Sequence, residues 1–146
     1  MVVQDFDTAA RRHYEDASLL HERRRLPNAD HLAGFAAECA LKSILVGFLG
    51  AKPTSTKPVS HQNGKPIQHG HLPKLWTEVV TALDGRDAGT TFVDLLRAGN
   101  PYDSWSVGDR YDDGVGITDE TVTTRIDMVR QILGCLENAK LSGVLR

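Results

Sequence analysis

Three places in the sequence gather side chains able to do chemistry. In the apolar segment Ala29 to Leu49, His31, Glu38 and Lys42 are separated by offsets that return a helical side chain to within about 20° of its starting direction, so the three share one face. A polar stripe on such a helix must meet partners or water. Glu38 and Lys42 are oriented for an i, i+4 pair, and a carboxylate flanked by Ala, Cys and Leu is expected to be partly buried, with Arg110 or Arg12 as its natural partner. His69 and His71 stand just before an expected helix, where a His can act as general base or hold an anion with help from the helix N-terminus. With His61 they can also be read as metal ligands, but no carboxylate lies between residues 51 and 75, which argues against a metal site. The third place is Arg110, with Tyr102, Trp105 and Tyr111 around it. These aromatics can stack on a base while the guanidinium holds a phosphate, or lock their loop onto a helical core. Asp109 and Asp112 flank Arg110 and must turn away, or pair with it, before an anion approaches.

The rest of the composition narrows the field. The 146 residues carry a net charge of −2, so the molecule as a whole has no basic footprint for nucleic acid. The charge is uneven: Lys52, Lys57, Lys65 and Lys74 lie in a stretch without acids, and Arg11, Arg12 and Arg23 to Arg25 form a second basic group. Affinity for an anion is most easily placed there. Cys39 and Cys135 sit in apolar, helix-like settings that favour buried thiols over a disulfide or zinc site. There is no glycine-rich phosphate loop, dinucleotide fingerprint or nucleophile elbow, and no cofactor is expected. The charge-free run Ser43 to Ala51 is far shorter than the roughly twenty residues of a membrane span, and the first residues lack a basic region followed by an apolar run. A cytoplasmic protein without a membrane segment is expected.

These residues need helices to hold them. Asp5 or Asp7 can cap a first helix reaching about Arg25, with Phe6, Ala10, Ala17 and Leu20 at helical spacing. Pro27-Asn28 restarts the chain, and Ala29 to Leu49, apolar almost all round, reads as the central helix. Gly50 to Gly70, rich in glycine and proline and without apolar periodicity, reads as a long, loosely anchored loop. A third helix opens at Leu72 with Pro73 early in it and Leu75, Trp76, Val79, Val80 and Leu83 on its apolar face. A short helix follows from about Thr91 to Ala98, then a loop from Gly99 to Gly116. The last helix starts at Thr118, with Asp119 and Glu120 complementing its dipole and Val122, Ile126, Val129, Leu133 and Leu136 on one stripe. The expected fold is all-α: one domain over residues 1–146, an antiparallel four-helix bundle with an additional short helix, long loops and no strand.

The stretches Arg12-His13-Tyr14-Glu15-Asp16-Ala17, Ala29 to Lys42 with its Ala-Glu-Cys-Ala-Leu-Lys core, and Trp105-Ser106-Val107 with Asp109-Arg110-Tyr111 resemble bacterial HEPN domains, named for higher eukaryotes and prokaryotes nucleotide-binding. The resemblance covers nearly the whole chain in order. It implies an all-α, homodimerising domain that engages RNA or nucleotides in defence or toxin-antitoxin systems, as a metal-independent ribonuclease or as a non-catalytic module beside a nucleotidyltransferase-like or antitoxin partner. The ribonuclease branch carries an Arg followed a few residues later by a His. Here Arg110 is followed by Val115, Gly116 and Ile117 where the His belongs, and the only formal matches set Arg24 or Arg25 before His31. If RNA is cleaved, the 2′-hydroxyl attacks the adjacent phosphate with His71, His13 or His31 as base and Arg110 or Arg12 stabilising the pentavalent charge. Glu38, Lys42, Trp105, Asp109 and Tyr111 complete the expected ligand-facing set.

Overall fold

The computed structural model describes residues 4–84 and 90–142; Met1 to Val3, where the leader reading begins, lie outside the described residues. Helix α1 (Phe6–Glu22) opens on Asp5, whose carboxylate accepts the Thr8 backbone N–H at 3.0 Å. It ends three residues before Arg25, and α2 (Leu26–Phe48) starts almost at once with Pro27 in its first turn, where the missing N–H has no partner to lose. Ala33, Ala36, Ala37 and Ala40 are fully buried on α2, and such small side chains let neighbouring helices approach closely. α1 covers one side of α2 and α5 (Asp119–Ser142) covers another. α2 is long and apolar enough to cross a membrane by length and composition, but here about half of that stretch is buried within the protein, and it carries three buried charged residues, Asp30, Glu38 and Lys42.

The fold is mostly helical, as expected, but two features differ from the expected architecture. The first is how the helices pack. Asp7 pairs with Lys140, Arg11 with Glu137 at 2.8 Å, and His21 with Asp119 at 2.7 Å, so α1 and α5 are antiparallel. Asp30 near the start of α2 meets Arg125 near the start of α5, so these two run the same way. These directions are those of an up-and-down path, in which the second and last helices both run opposite to the first; the departure is that α2 packs directly on α5 and that only α1, α2 and α5 are long, so four equivalent helices do not share the bundle. The first connection is short and forces α1 and α2 antiparallel, whereas the chain between α2 and α5 is long enough to return the length of the bundle. The shorter α3 (Lys74–Leu83) and α4 (Thr90–Arg97) lie on that return, joined where the Trp76 indole N–H donates to the Leu96 carbonyl at 3.0 Å.

The second difference is a β-hairpin inside the expected loop. β1 (Val59–Gln62) and β2 (Lys65–Gln68) pair antiparallel with Ser60 opposite Ile67. Asn63 and Gly64 turn the chain with φ of 52° and 77°, the left-handed pair whose twist matches two-residue hairpins. Lys52 and Val59 exchange backbone hydrogen bonds of 2.8 and 3.0 Å, the Lys42 ammonium donates to the Thr56 carbonyl at 2.8 Å, and His69 is buried. Backbone and polar side chains hold this segment, which is why apolar periodicity did not announce it.

Candidate functional site

Midway along α2, Glu38 is only 4% exposed and fully engaged. His71 Nδ1 lies 3.0 and 3.1 Å from its two oxygens, the Leu72 backbone N–H donates to it at 3.2 Å, and the Lys42 ammonium is 3.6 Å away. A carboxylate only accepts, so Nδ1 of His71 carries the proton and Nε2 is the nitrogen left for other work. The His71 side chain is 44% exposed, so that nitrogen belongs to a ring within reach of solvent. Lys42 is buried, hydrogen bonded to Thr56 and lying 5.9 Å from the Phe6 ring centroid, and so acts as an anchor for the segment before the hairpin. The expected partner of Glu38 was Arg110 or Arg12; its observed partners are His71, Leu72 and Lys42, because the hairpin brings the following residues back onto α2.

About 10 Å nearer the start of the same helix face, by the helical rise over seven residues, His31 stacks on Trp105 at 5.4 Å and meets Phe35 edge-on at 4.8 Å. From α1, His13 reaches the same Phe35 ring at 6.0 Å. Both ring nitrogens of His31 are buried without a hydrogen-bond partner. Burial pushes His31 below the usual histidine range; Asp109 and Asp30 act against this, and Arg110 adds to it. Burial and then the Arg12 charge lower His13, opposed by Asp16 and Glu38. Both imidazoles are thereby biased to the neutral form, with a guanidinium near each.

The Arg110 loop divides into a buried and an exposed part. Trp105 is 1% exposed, donates its indole N–H to the Asp30 carbonyl at 3.3 Å, and lies so close to Gly34 that a Cβ there would sit 2.0 Å from Trp105 Cε2. Tyr102 is buried with its hydroxyl donating to the Arg125 carbonyl at 2.6 Å. Neither ring presents a face to a base, which corrects the stacking role expected of Trp105: a small residue on α2 left a slot that the indole fills. In the 3-10 turn Val107–Tyr111, Asp109 turns away from Arg110 to accept the Ser106 backbone N–H at 2.9 Å. Arg110 is exposed and its guanidinium lies 4.9 Å from the Tyr111 ring centroid, itself 80% exposed. The guanidinium thus lies against a ring of its own turn, at the surface. A cavity of about 610 Å³ opens beside it, but Asp109, Asp112 and Asp113 contribute to its wall and would repel a phosphate.

The remaining candidates are dispersed. Arg12 is exposed on α1. Arg24 pairs with Asp119 at 2.8 Å and Arg25 caps α2, so the formal Arg-to-His matches join residues with separate tasks. His69 and His71 enter different networks, and no group of three metal-binding side chains occurs among the described residues. Cys39 is held as a thiol, burial pushing it up to about 11 with Glu38 adding to the effect.

The sequence reading missed the buried ion pair of Asp30 and Arg125. Arg125 Nη1 donates to both oxygens of Asp30 at 2.9 and 2.8 Å, Nε donates to the Pro101 carbonyl at 2.9 Å, and Nη2 donates to Ser104 Oγ at 3.0 Å. Burial pushes the Asp30 carboxyl above its ordinary range, with the Arg125 bonds and charge pulling it back. The available signal was an arginine set between Val122, Ile126 and Val129 on the apolar stripe of the last helix. No family model, curated protein or solved structure matches the chain.

Proposed function

We propose that this protein is an HEPN-like helical domain that engages RNA or a nucleotide through the face shared by α1, α2 and the 3-10 turn. The observation that carries the reading is the meeting of His13 and His31 on Phe35, with Arg12 and Arg110 close enough to act on them. Exposed Arg12 and Arg110 supply charge for phosphate, Tyr111 supplies a surface for a base, and His71, held through Nδ1 by Glu38, is the histidine best arranged to accept a proton through Nε2. If cleavage occurs, it is metal-independent attack of the 2′-hydroxyl on the adjacent phosphate, the bond to the 5′-oxygen breaking as that oxygen takes up a proton, with the guanidinium groups opposing the negative charge on the phosphoryl oxygens. The setting is a cytoplasmic homodimer in a bacterial defence or toxin-antitoxin system, and Val115, 84% exposed beyond the Arg110 turn, is available for the dimer contact.

The alternative is a non-catalytic module that docks a nucleotidyltransferase-like or antitoxin partner. The absence of a His at Val115 to Ile117 and the burial of Trp105 favour it. Fluorescence anisotropy with a labelled oligoribonucleotide and with nucleotides, followed by denaturing gels in EDTA, separates the two. RNA binding by the wild type, lost in Arg110→Ala and Arg12→Ala, is the expected result. Absence of both RNA and nucleotide binding at micromolar protein defeats the reading and leaves the docking module.

A further inference from the structure

A second group of polar side chains lies between the hairpin and α3, apart from the face just described. His69 is 3% exposed. Its Nδ1 lies 3.1 Å from Glu78 Oε1 and its Nε2 lies 2.8 Å from Ser60 Oγ. The Glu78 carboxylate can only accept, so Nδ1 carries the proton; in the neutral ring Nε2 is then an acceptor, and the Ser60 hydroxyl donates to it. A hydroxyl bonded to an imidazole whose far nitrogen is held by a carboxylate is the arrangement that turns a serine into a nucleophile. All three residues line a cavity of about 560 Å³, within the size range of small-molecule sites. Leu49, Ile67 and Ala82 give that cavity an apolar wall, while Lys74, which has no ion pair among the described residues, and Thr77 are polar members of its lining.

We propose that this cavity is an acyl-transfer site for small, uncharged or anionic esters, with Ser60 as nucleophile and His69 as its base. Ser60 Oγ bonds to the acyl carbon as its proton passes to His69 Nε2. The Lys74 ammonium and Thr77 hydroxyl oppose the charge on the carbonyl oxygen. The bond to the alkoxide then breaks, the alkoxide takes the proton from His69, and water repeats the sequence on the acyl-serine to release a carboxylic acid. Glu78 is a positioning residue that fixes the His69 tautomer and stabilises the imidazolium. The apolar wall suits a short acyl chain. The site is independent of the RNA reading, since neither Ser60 nor Glu78 belongs to that face.

The test is incubation of the full chain with 4-nitrophenyl acetate and butyrate, following 4-nitrophenolate release and mapping the adduct by peptide mass spectrometry. The expected result is one acyl group per chain on Ser60, absent in Ser60→Ala, with His69→Gln slowing acylation about 100-fold or more. Glu78→Gln retains an acceptor for Nδ1 but removes the charge that opposes a developing imidazolium, so acylation at saturating ester slows while the half-saturating ester concentration stays the same and Glu78→Asp restores part of the rate, a split that a merely structural contact would not produce. An unmodified wild-type Ser60, or lysine acylation at equal levels in wild type and Ser60→Ala, overturns the proposal. Because the adduct is mapped on the wild type, the outcome does not depend on any variant folding.

Discussion

Two buried carboxylates on α2, Asp30 and Glu38, have been put to opposite uses. Asp30 faces a guanidinium that is itself 5% exposed, and the remaining donors of Arg125 go to Pro101 and Ser104. Each guanidinium nitrogen is bonded within the protein, and the pair joins α2, α5 and the loop before the 3-10 turn. Glu38 is as deeply placed, but its strongest partner is a histidine with 44% of its side chain in solvent. The first carboxylate ends in structure, whereas the second transmits its orientation to a titratable ring at the surface. Burial of a charge therefore does not by itself mark function; what separates the two cases is whether the partner's side chain still reaches solvent.

The largest effect is expected from breaking the closed pair. Asp30→Ala leaves a buried guanidinium uncompensated and should cost about 3–5 kcal/mol in denaturant unfolding. Glu38→Gln keeps an acceptor for His71 and Leu72 and should cost less, about 1–3 kcal/mol, while impairing RNA binding or cleavage if His71 serves them. Equal losses of stability from both substitutions would erase the distinction. Gly34→Ala probes the wall between the two regions. Its Cβ would overlap the Trp105 indole, so a loss of about 1–3 kcal/mol is expected, together with a change in tryptophan fluorescence.

A smaller effect concerns pH. His13 and His31 are lowered in the folded protein, so the unfolded chain takes up protons first as pH falls below about 6.5. Their contribution to stability is complete above that value and is lost as pH falls through the folded-state range, at up to about 1.4 kcal/mol per pH unit for each. His31→Phe should flatten this part of a urea-midpoint profile, and an unchanged slope would show that the His31 ring does not titrate differently on unfolding. The smallest change in stability is expected from Arg110→Ala, within about 0.5 kcal/mol, since the side chain is exposed and lies against the likewise exposed Tyr111. Its effect should appear in RNA binding instead, and a large thermal destabilisation would move Arg110 into the structural class.

Much of this was legible because it depends on local spacing. The polar face of α2, a cap at Asp5 or Asp7 and a restart at Pro27-Asn28 follow from neighbours a few residues apart; Asp5 is the cap observed, and α2 begins at Leu26, taking Pro27 into its first turn rather than starting after it. Asn63-Gly64 was also a local signal, since that dipeptide favours a two-residue turn, but the short strands beside it lack the apolar alternation that makes such a turn conspicuous. Partners distant in sequence were harder. Nothing near Glu38 indicates that His71 will return to it, and nothing near Asp30 indicates Arg125. Trp105 illustrates the same limit: its composition suits a binding surface or a core, and only Gly34, far away in sequence, decides between them.

The parallel course of α2 and α5 also sets an order of assembly. α1 and α2 meet across a short turn, so their pairing closes a small loop, whereas the Asp30 to Arg125 contact spans 95 positions and must overcome a larger loss of chain entropy. During synthesis the α1–α2 pair leaves the ribosome first, with the side of α2 destined for α5 uncovered and Asp30 without its counter-ion. Until α5 arrives, that side exposes apolar surface that the finished fold covers, for an interval set by the time needed to translate the hairpin, α3, α4 and the 3-10 turn.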